Sequence, residues 1–149
     1  MLRHTYENQN CSMARALELV GERWTLLIVR DALHGAARFD GFLSSLGVAR
    51  NVLTDRLNGL VEHGIFERVP YQQRPPRHEY RLTVMGRDLV EVVIPLMEWG
   101  DRYLAGDAGP PRIAEHVDCG GHVVSRLLCE RCAHPVSSEE VMTRPTGGN

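Results

Sequence analysis

The chain has 149 residues, 43% of them apolar and 24% charged, with a formal net charge of −2. That allows one domain with a real core and a small appendage, and excludes a disordered or fibrous chain. No apolar run approaches the roughly 20 residues of a membrane span, and the polar start MLRHTYENQN lacks the apolar segment of a secretion signal. The expected setting is therefore the reducing cytoplasm, with no membrane partner and with structural disulfides rare.

In chain order, Ser12 is placed to cap a short helix, MARALELV, with Met13, Ala16, Leu17 and Val20 on one face and Gly21 as its stop. A second helix, from about Arg23 to His34, is apolar almost all round and belongs in the middle of a domain. The segment FDGFLSSL is shorter and amphipathic. Gly47 then turns the chain into a helix of about 49–63, whose Leu53, Leu57 and Leu60 recur at i, i+4 and i+7 as one buried stripe. A short helix, a glycine turn and a second helix with one apolar face is the helix-turn-helix pattern.

IFERVPY, QQRPPR and HEYRLT read as a strand, a proline-rich tip over 72–77 and a returning strand, since prolines cannot donate to a sheet ladder. Such a hairpin after a helix-turn-helix is a wing. Thr83 caps a closing helix to about Leu104, with Met85, Leu89, Val92, Leu96, Trp99 and Tyr103 in one stripe and Val90, Val93, Met97 and Leu104 in another. Two stripes exceed what one small core covers, so a symmetric second copy is expected on Leu89, Val92, Val93, Leu96, Trp99 and Tyr103. Pro95 predicts a kink or break between Glu91 and Pro95. The fold class is thus mainly α with a small β-hairpin: a winged helix-turn-helix domain over 1–104, a linker over 105–115, a Cys/His-rich zinc-ribbon-like knuckle over 116–136 and a flexible tail over 137–149. No internal repeat is evident.

From Cys11 to Gly100 the chain closely resembles the HxlR-type winged-helix transcription regulators, relatives of the MarR group. The resemblance rests on CSMARALELVGERWTLLIVRDAL, RFDGF, LTDRLNGLVEHGI, PPRHEYRLTVMG and the closing EWG, which follow one another in family order. It implies a bacterial homodimer, built from the first and last helices of the domain, that binds operator DNA and represses or activates nearby genes; repression is the working expectation. Asn58-Gly59 departs from the family, whose members carry charged helix formers there; Gly59 costs about 1 kcal/mol relative to alanine.

The major groove admits one helix and displays a full donor and acceptor code. Arg50, Asn51 and Thr54 fall on the face of the 49–63 helix away from the leucines and are the candidate base readers. Asn58 shares that face, and Arg56 is a candidate phosphate clamp, with bracing of a neighbouring helix as the alternative for Arg56 and Asp55. Arg74 and Arg77 on the wing would reach the minor groove or backbone. All 17 basic residues are arginine, and arginine's planar fork engages guanine or phosphate through two bonds at once. Enzyme motifs are missing: there is no phosphate-cradling glycine loop, no Gly-x-Ser-x-Gly elbow and no His-Glu-x-x-His. The rival to DNA binding is a protein-interaction module using the double-striped helix and a zinc-stabilised tail.

Four cysteines remain. Cys11 precedes the first helix, where amide ends favour a thiolate, and the resemblance implies a sensor of oxidants or electrophiles at this position; a small buried apolar residue is the competing reading. A small apolar effector bound between the long helix and the core is a further option. In the tail, His116-x2-Cys119-x9-Cys129-x2-Cys132 has the spacing of one structural zinc site, with His122 as an alternative fourth ligand and His134 as a weaker one. A redox-active dithiol and ordinary cysteines are the other readings of that segment.

Overall fold

A computed structural model describes Tyr6 and residues 9–146; residues 1–5, 7–8 and 147–149, which hold parts of the polar start and of the expected flexible tail, lie outside the described residues. The chain divides into two compact units, Met1–Val93 and Ile94–Asn149. The division falls inside the last long helix, not at the linker expected over 105–115, so the second half of that helix groups with the cysteine-bearing segment.

The first unit contains helices α1 (Ser12–Val20), α2 (Thr25–Leu33), α3 (Phe39–Leu46) and α4 (Arg50–Glu62), strands β1 (Phe66–Gln72) and β2 (Arg77–Leu82), and the short helix α5 (Val84–Asp88). Cys11, rather than Ser12, is the N-cap of α1; its backbone is extended, and Arg15 N–H donates to its carbonyl at 3.1 Å. Trp24 lies just outside α2 with φ +79°, so that helix begins two residues later than its apolar pattern suggests. Gly47, at φ +61°, ends α3 by donating to Leu43 O at 3.0 Å, the left-handed turn a helix-turn-helix requires.

The core follows the periodicities. Ile28 and Val29 of α2, Phe42 of α3, Leu53 and Leu57 of α4 are fully buried, with Leu60, Ile65, Phe66, Leu82 and Val93 nearly so. Phe42 and Phe66 meet edge to face at 6.3 Å between ring centroids, joining α3 to the hairpin. The strands pair antiparallel from Phe66↔Leu82 to Gln72↔Arg77, with an irregularity between Pro70 and Gln72 and a turn over residues 73–76. Tyr80 N–H donates to Ala37 O at 2.7 Å, tying the hairpin to the approach of α3.

The closing helix is broken at Leu89, just before the Glu91–Pro95 interval where a kink or break is expected. α5 ends at Asp88, Leu89 is the joint, and α6 (Val90–Leu104) contains Pro95 in its interior. The cause lies upstream. Thr83 accepts a hydrogen bond from Gly86 N–H at 3.1 Å and donates to the Gly64 carbonyl at 2.6 Å, which fixes α5 on the end of the hairpin. Gly86 is pressed against that hairpin: a Cβ there would stand 2.2 Å from Ile65 O and 2.9 Å from Leu82 Cδ2.

In the second unit, α6 continues from Ile94 and is followed by a single 3-10 turn over Gly106–Ala108, two tight hairpin-like turns and another 3-10 turn over Ser138–Glu140. No described residue beyond Val93 is buried. No helix among the described residues is long and apolar enough to cross a membrane.

Two glycines should respond to alanine in opposite senses. Gly86→Ala forces Cβ into a carbonyl, with an expected loss of about 1–3 kcal/mol as for overpacked cores. Gly59 lies inside α4, where an added Cβ would meet nothing within 4 Å, so Gly59→Ala should gain up to about 1 kcal/mol. Denaturant midpoints of the two variants test this, and a neutral Gly86→Ala would show that the contact yields.

Candidate nucleic-acid interface

The leucine stripe sets which face of α4 is free. With Leu53, Leu57 and Leu60 turned inward, Arg50, Asn51 and Thr54 are all exposed on the first turns of the helix. Ala49 caps α4 without a side-chain hydrogen bond, which leaves first-turn amides available to an anion. Thr54 Oγ1 donates back to Arg50 O at 2.9 Å. Arg50 lies over the Phe39 ring at 5.1 Å and pairs loosely with Asp40 at 3.4 Å, both side chains well exposed. Such a pair contributes little and can be exchanged for a phosphate or base.

Two further expected contacts, Arg56 and Asn58, are half-buried and engaged with neighbouring elements. Arg56 is half-buried and paired with Glu22 at 2.8 Å, bracing α4 against the segment after α1. Its Nε is buried without a hydrogen-bond partner. Asn58 accepts a hydrogen bond from Arg68 of β1, so it joins α4 to the wing's first strand. Helical phase put Asn58 on the outer face and could not show that Arg68 reaches it there.

On the wing, Arg74 and Arg77 are exposed at either end of the turn, and Gln72 Nε2 donates to Arg74 O at 3.2 Å, bracing its loop. A groove of about 980 Å³ runs between the start of α3, Arg50 and the wing, lined in part by Arg38, Tyr71, Arg77 and His78. Arg38 was not singled out by the sequence. It stacks over Tyr71 at 4.3 Å and pairs with Glu79 at 3.4 Å, placing a further guanidinium in the same groove. Only its fold position reveals this, because it lies 39 residues from Arg77 in sequence. Glu79 is held below the usual carboxylate range, first by its hydrogen bond from Arg81 and then by Arg38.

The six residues expected at a dimer interface separate into three groups. Val93 is buried in its own chain and cannot be offered to a partner; its place on a helical stripe did not distinguish the two fates. Leu89 is the half-buried joint between α5 and α6. Val92, Leu96, Trp99 and Tyr103 stand 46%, 51%, 52% and 63% exposed along α6, with the Trp99 and Tyr103 rings 5.5 Å apart.

All four cysteines are unpaired thiols. Cys11 is exposed at the start of α1, where the amides of Ala14 and Met13, with a smaller contribution from Arg15, lower its thiol pKa. In the tail, His116 Nδ1 lies 3.2 Å from Cys119 Sγ. Cys129 is also lowered, by the Cys132 amide first, then the Arg131 amide and the Cys132 thiol. Among the described residues, no three His, Cys, Asp or Glu side chains gather around a common metal position. The structure places His116 beside Cys119 and Cys132 beside Cys129, as two pairs. His122 lines a small cleft of about 110 Å³ against Met97, Glu98 and Asp101 of α6.

Helix-turn-helix plus wing, with arginines on both the reading helix and the wing, is the architecture of a winged-helix nucleic-acid-binding module. The sequence profile of the HxlR-like helix-turn-helix family matches residues 19–108, and the chain belongs to that family. It is 48% identical over 147 residues to an uncharacterised HTH-type transcriptional regulator of Mycobacterium tuberculosis, covering 99% of this chain and 92% of that one. Among solved structures it is similar to PA1607, described as a candidate transcription factor, with TM-score 0.82, 34% identity and coverage of 93% of this chain and 96% of that one. The reduced form of the redox regulator HypR matches 64% of this chain and 97% of its own length, at TM-score 0.58 and 31% identity.

Because Cys11 is lowered, its thiolate should be populated at a pH where an ordinary thiol, with a pKa of about 8.5, is still protonated. The rate of iodoacetamide alkylation at Cys11, followed by peptide mass spectrometry, should reach half its plateau at lower pH in the native protein than in urea. Coincident midpoints would show that the helix start has no influence on it.

Proposed function

We propose that the chain is a homodimeric, sequence-specific DNA-binding transcriptional regulator, acting as a repressor, with α4 in the major groove and the 72–77 wing on the minor groove or backbone. The observation that carries this reading is the joint exposure of Arg50, Asn51 and Thr54 on the face of α4 opposite its buried leucines, beside a wing bearing Arg74 and Arg77. The regulator names of its close relatives support it. The exposed stripe of Val92, Leu96, Trp99 and Tyr103 supports a symmetric second copy, since a row of large apolar groups on one helix is a surface that gains from being covered. Two copies would place two reading helices on half-sites about one helical turn apart.

For sensing, the favoured group is Cys11: it is exposed, its thiol is lowered by helix amides, and a structural relative is named a redox regulator. Oxidant or electrophile at Cys11 would alter the first helix, which the family resemblance assigns to the dimer.

Fluorescence anisotropy with DNA from upstream of the gene, at two or more salt concentrations, tests the DNA reading. Arg50→Ala or Asn51→Ala should erase about 1–3 kcal/mol of preference for the specific site, roughly 5- to 150-fold. Arg74→Ala and Arg77→Ala should weaken binding to all sequences and reduce the salt slope by about one each. An interaction module would show no sequence preference at all, and equal losses on specific and random DNA would remove Arg50 and Asn51 from base reading. Separately, Cys11→Ser should bind DNA normally yet hold it in the presence of diamide; release equal to wild type would place the sensor elsewhere.

A further inference from the structure

The tail contains a structural repeat that its sequence hides. In residues 114–123, Val123 N–H donates to Ala114 O at 2.8 Å, His116 N–H to Gly121 O at 2.8 Å and Gly120 N–H to His116 O at 2.8 Å, with a bridge between Glu115 and His122. Thirteen residues later the pattern recurs over 127–136. Val136 N–H donates to Leu127 O at 2.9 Å, Cys129 N–H to His134 O at 3.0 Å and Ala133 N–H to Cys129 O at 2.8 Å, with a bridge between Leu128 and Pro135. Gly120, at φ +68°, and Ala133, at φ +56°, occupy the same left-handed position. An alanine there is under backbone strain of about 1–2 kcal/mol, so the second turn is held in the shape of the first by more than local preference.

Superposing the two turns by register pairs His116 with Cys129 and Cys119 with Cys132. It pairs His122 with Pro135, at the closing bridge, and His134 with Gly121, where the backbone carbonyl is the group the turn uses. The turn thus distinguishes the three histidines by role, and only His116 occupies a ligand position. Each turn presents two donors across a tight loop, as a metal knuckle does. Tetrahedral zinc, with bonds of about 2.0 Å to nitrogen and 2.3 Å to sulfur, sets ligand nitrogen and sulfur about 3.5 Å apart; His116 Nδ1 and Cys119 Sγ are already 3.2 Å apart. Cys129 Sγ faces the amides of Cys132 and Arg131 and the Cys132 thiol.

A second, independent observation points to a ligand. The unit from Ile94 onward has no buried residue among those described, and it exposes Val117, Leu127, Leu128 and Val124 at 95%, 62%, 62% and 52%. A segment with a defined fold but no core needs a staple. Only residues 124–126 separate the two turns, and Ser125 in that connection donates through its backbone N–H, at 3.1 Å, and its hydroxyl to Glu98 of α6. Both knuckles are therefore hung from one fixed point.

We propose that the two knuckles close on a single structural zinc ion per chain, ligated by His116 through Nδ1 and by the sulfurs of Cys119, Cys129 and Cys132. The two pairs share no common position among the described residues, and the ion brings them together. Binding releases three thiol protons to solvent and converts the thiols to thiolates; the neutral imidazole donates its lone pair, and no electron is transferred. Four protein ligands leave no open coordination position, so the site is a staple and not a catalytic centre.

Metal analysis of the full-length protein purified without chelator should find about one zinc per chain. Single substitutions Cys119→Ser, Cys129→Ser, Cys132→Ser and His116→Ala should each lower zinc content at least tenfold, whereas His122→Ala and His134→Ala should retain it. Because ligand variants can misfold, cobalt substitution of the wild-type protein provides a second measurement: the visible spectrum should show tetrahedral cobalt with thiolate charge transfer. Wild-type protein with no zinc and freely titrating tail thiols overturns the proposal. So does retention in His116→Ala with loss in His122→Ala, or half an ion per chain, which would mean a site shared between copies. The readout is metal content, so it stands or falls apart from DNA binding.

Discussion

The rotational setting of α4 is the constraint on which the interface depends. A helix repeats every 3.6 residues, and burying Leu53, Leu57 and Leu60 fixes which side chains can point outward. Phe42 packs edge-on to Phe66 in the same core, and that contact ties the hairpin to α3, the helix before α4. A rotation of α4 that moved Arg50 by one position would pull a leucine from the core, at a cost of about 2–5 kcal/mol if the space were left empty. The exposed face of α4 and the wing are thus held in mutual register by apolar packing, while the polar groups on that face can vary without loss of the fold.

The electrostatics follow the same division. Arginines that brace the fold have a partly sheltered side: Arg30 pairs with Asp31, whose side chain is largely buried, and the half-buried Arg56 pairs with Glu22. Those on the open face have partners that solvent can replace, such as Asp40 for Arg50, 85% exposed. A near-neutral chain can therefore present a local basic surface, because the acids on that face give way to a denser negative charge. Phosphates, arrayed on a duplex, compete well against a single exposed carboxylate.

Much of the fold was legible because its signals are local. The leucine spacing, the Gly47 turn, the proline-rich tip and the Thr83 cap each encode a conformation within a few residues, and each appears where it was expected. What escaped depends on neighbours distant in sequence. Asn58 sits on the polar side of α4, but Arg68 approaches it there; Arg38 enters the groove through the hairpin's return. Gly86 lies against Ile65, a long-range contact beside the helix break at Leu89 that no local signal shows. Val93 shared a stripe with interface candidates, and periodicity cannot say whether a stripe meets its own chain or another.

The repeat in the tail was invisible for a different reason. Its two copies, AEHVDCGGHV and LLCERCAHPV, share only the second cysteine of each pair and the closing valine, because most of the turn is specified by backbone hydrogen bonds that any non-proline residue can make. That is why ligand spacing, and not sequence similarity, was the readable signal, and why spacing alone left His116 and His122 level. Register separates them. A residue at the bridge faces across the strands, whereas one at the turn's entrance shares its loop with the residue three places on, and only the second geometry lets two donors meet one ion.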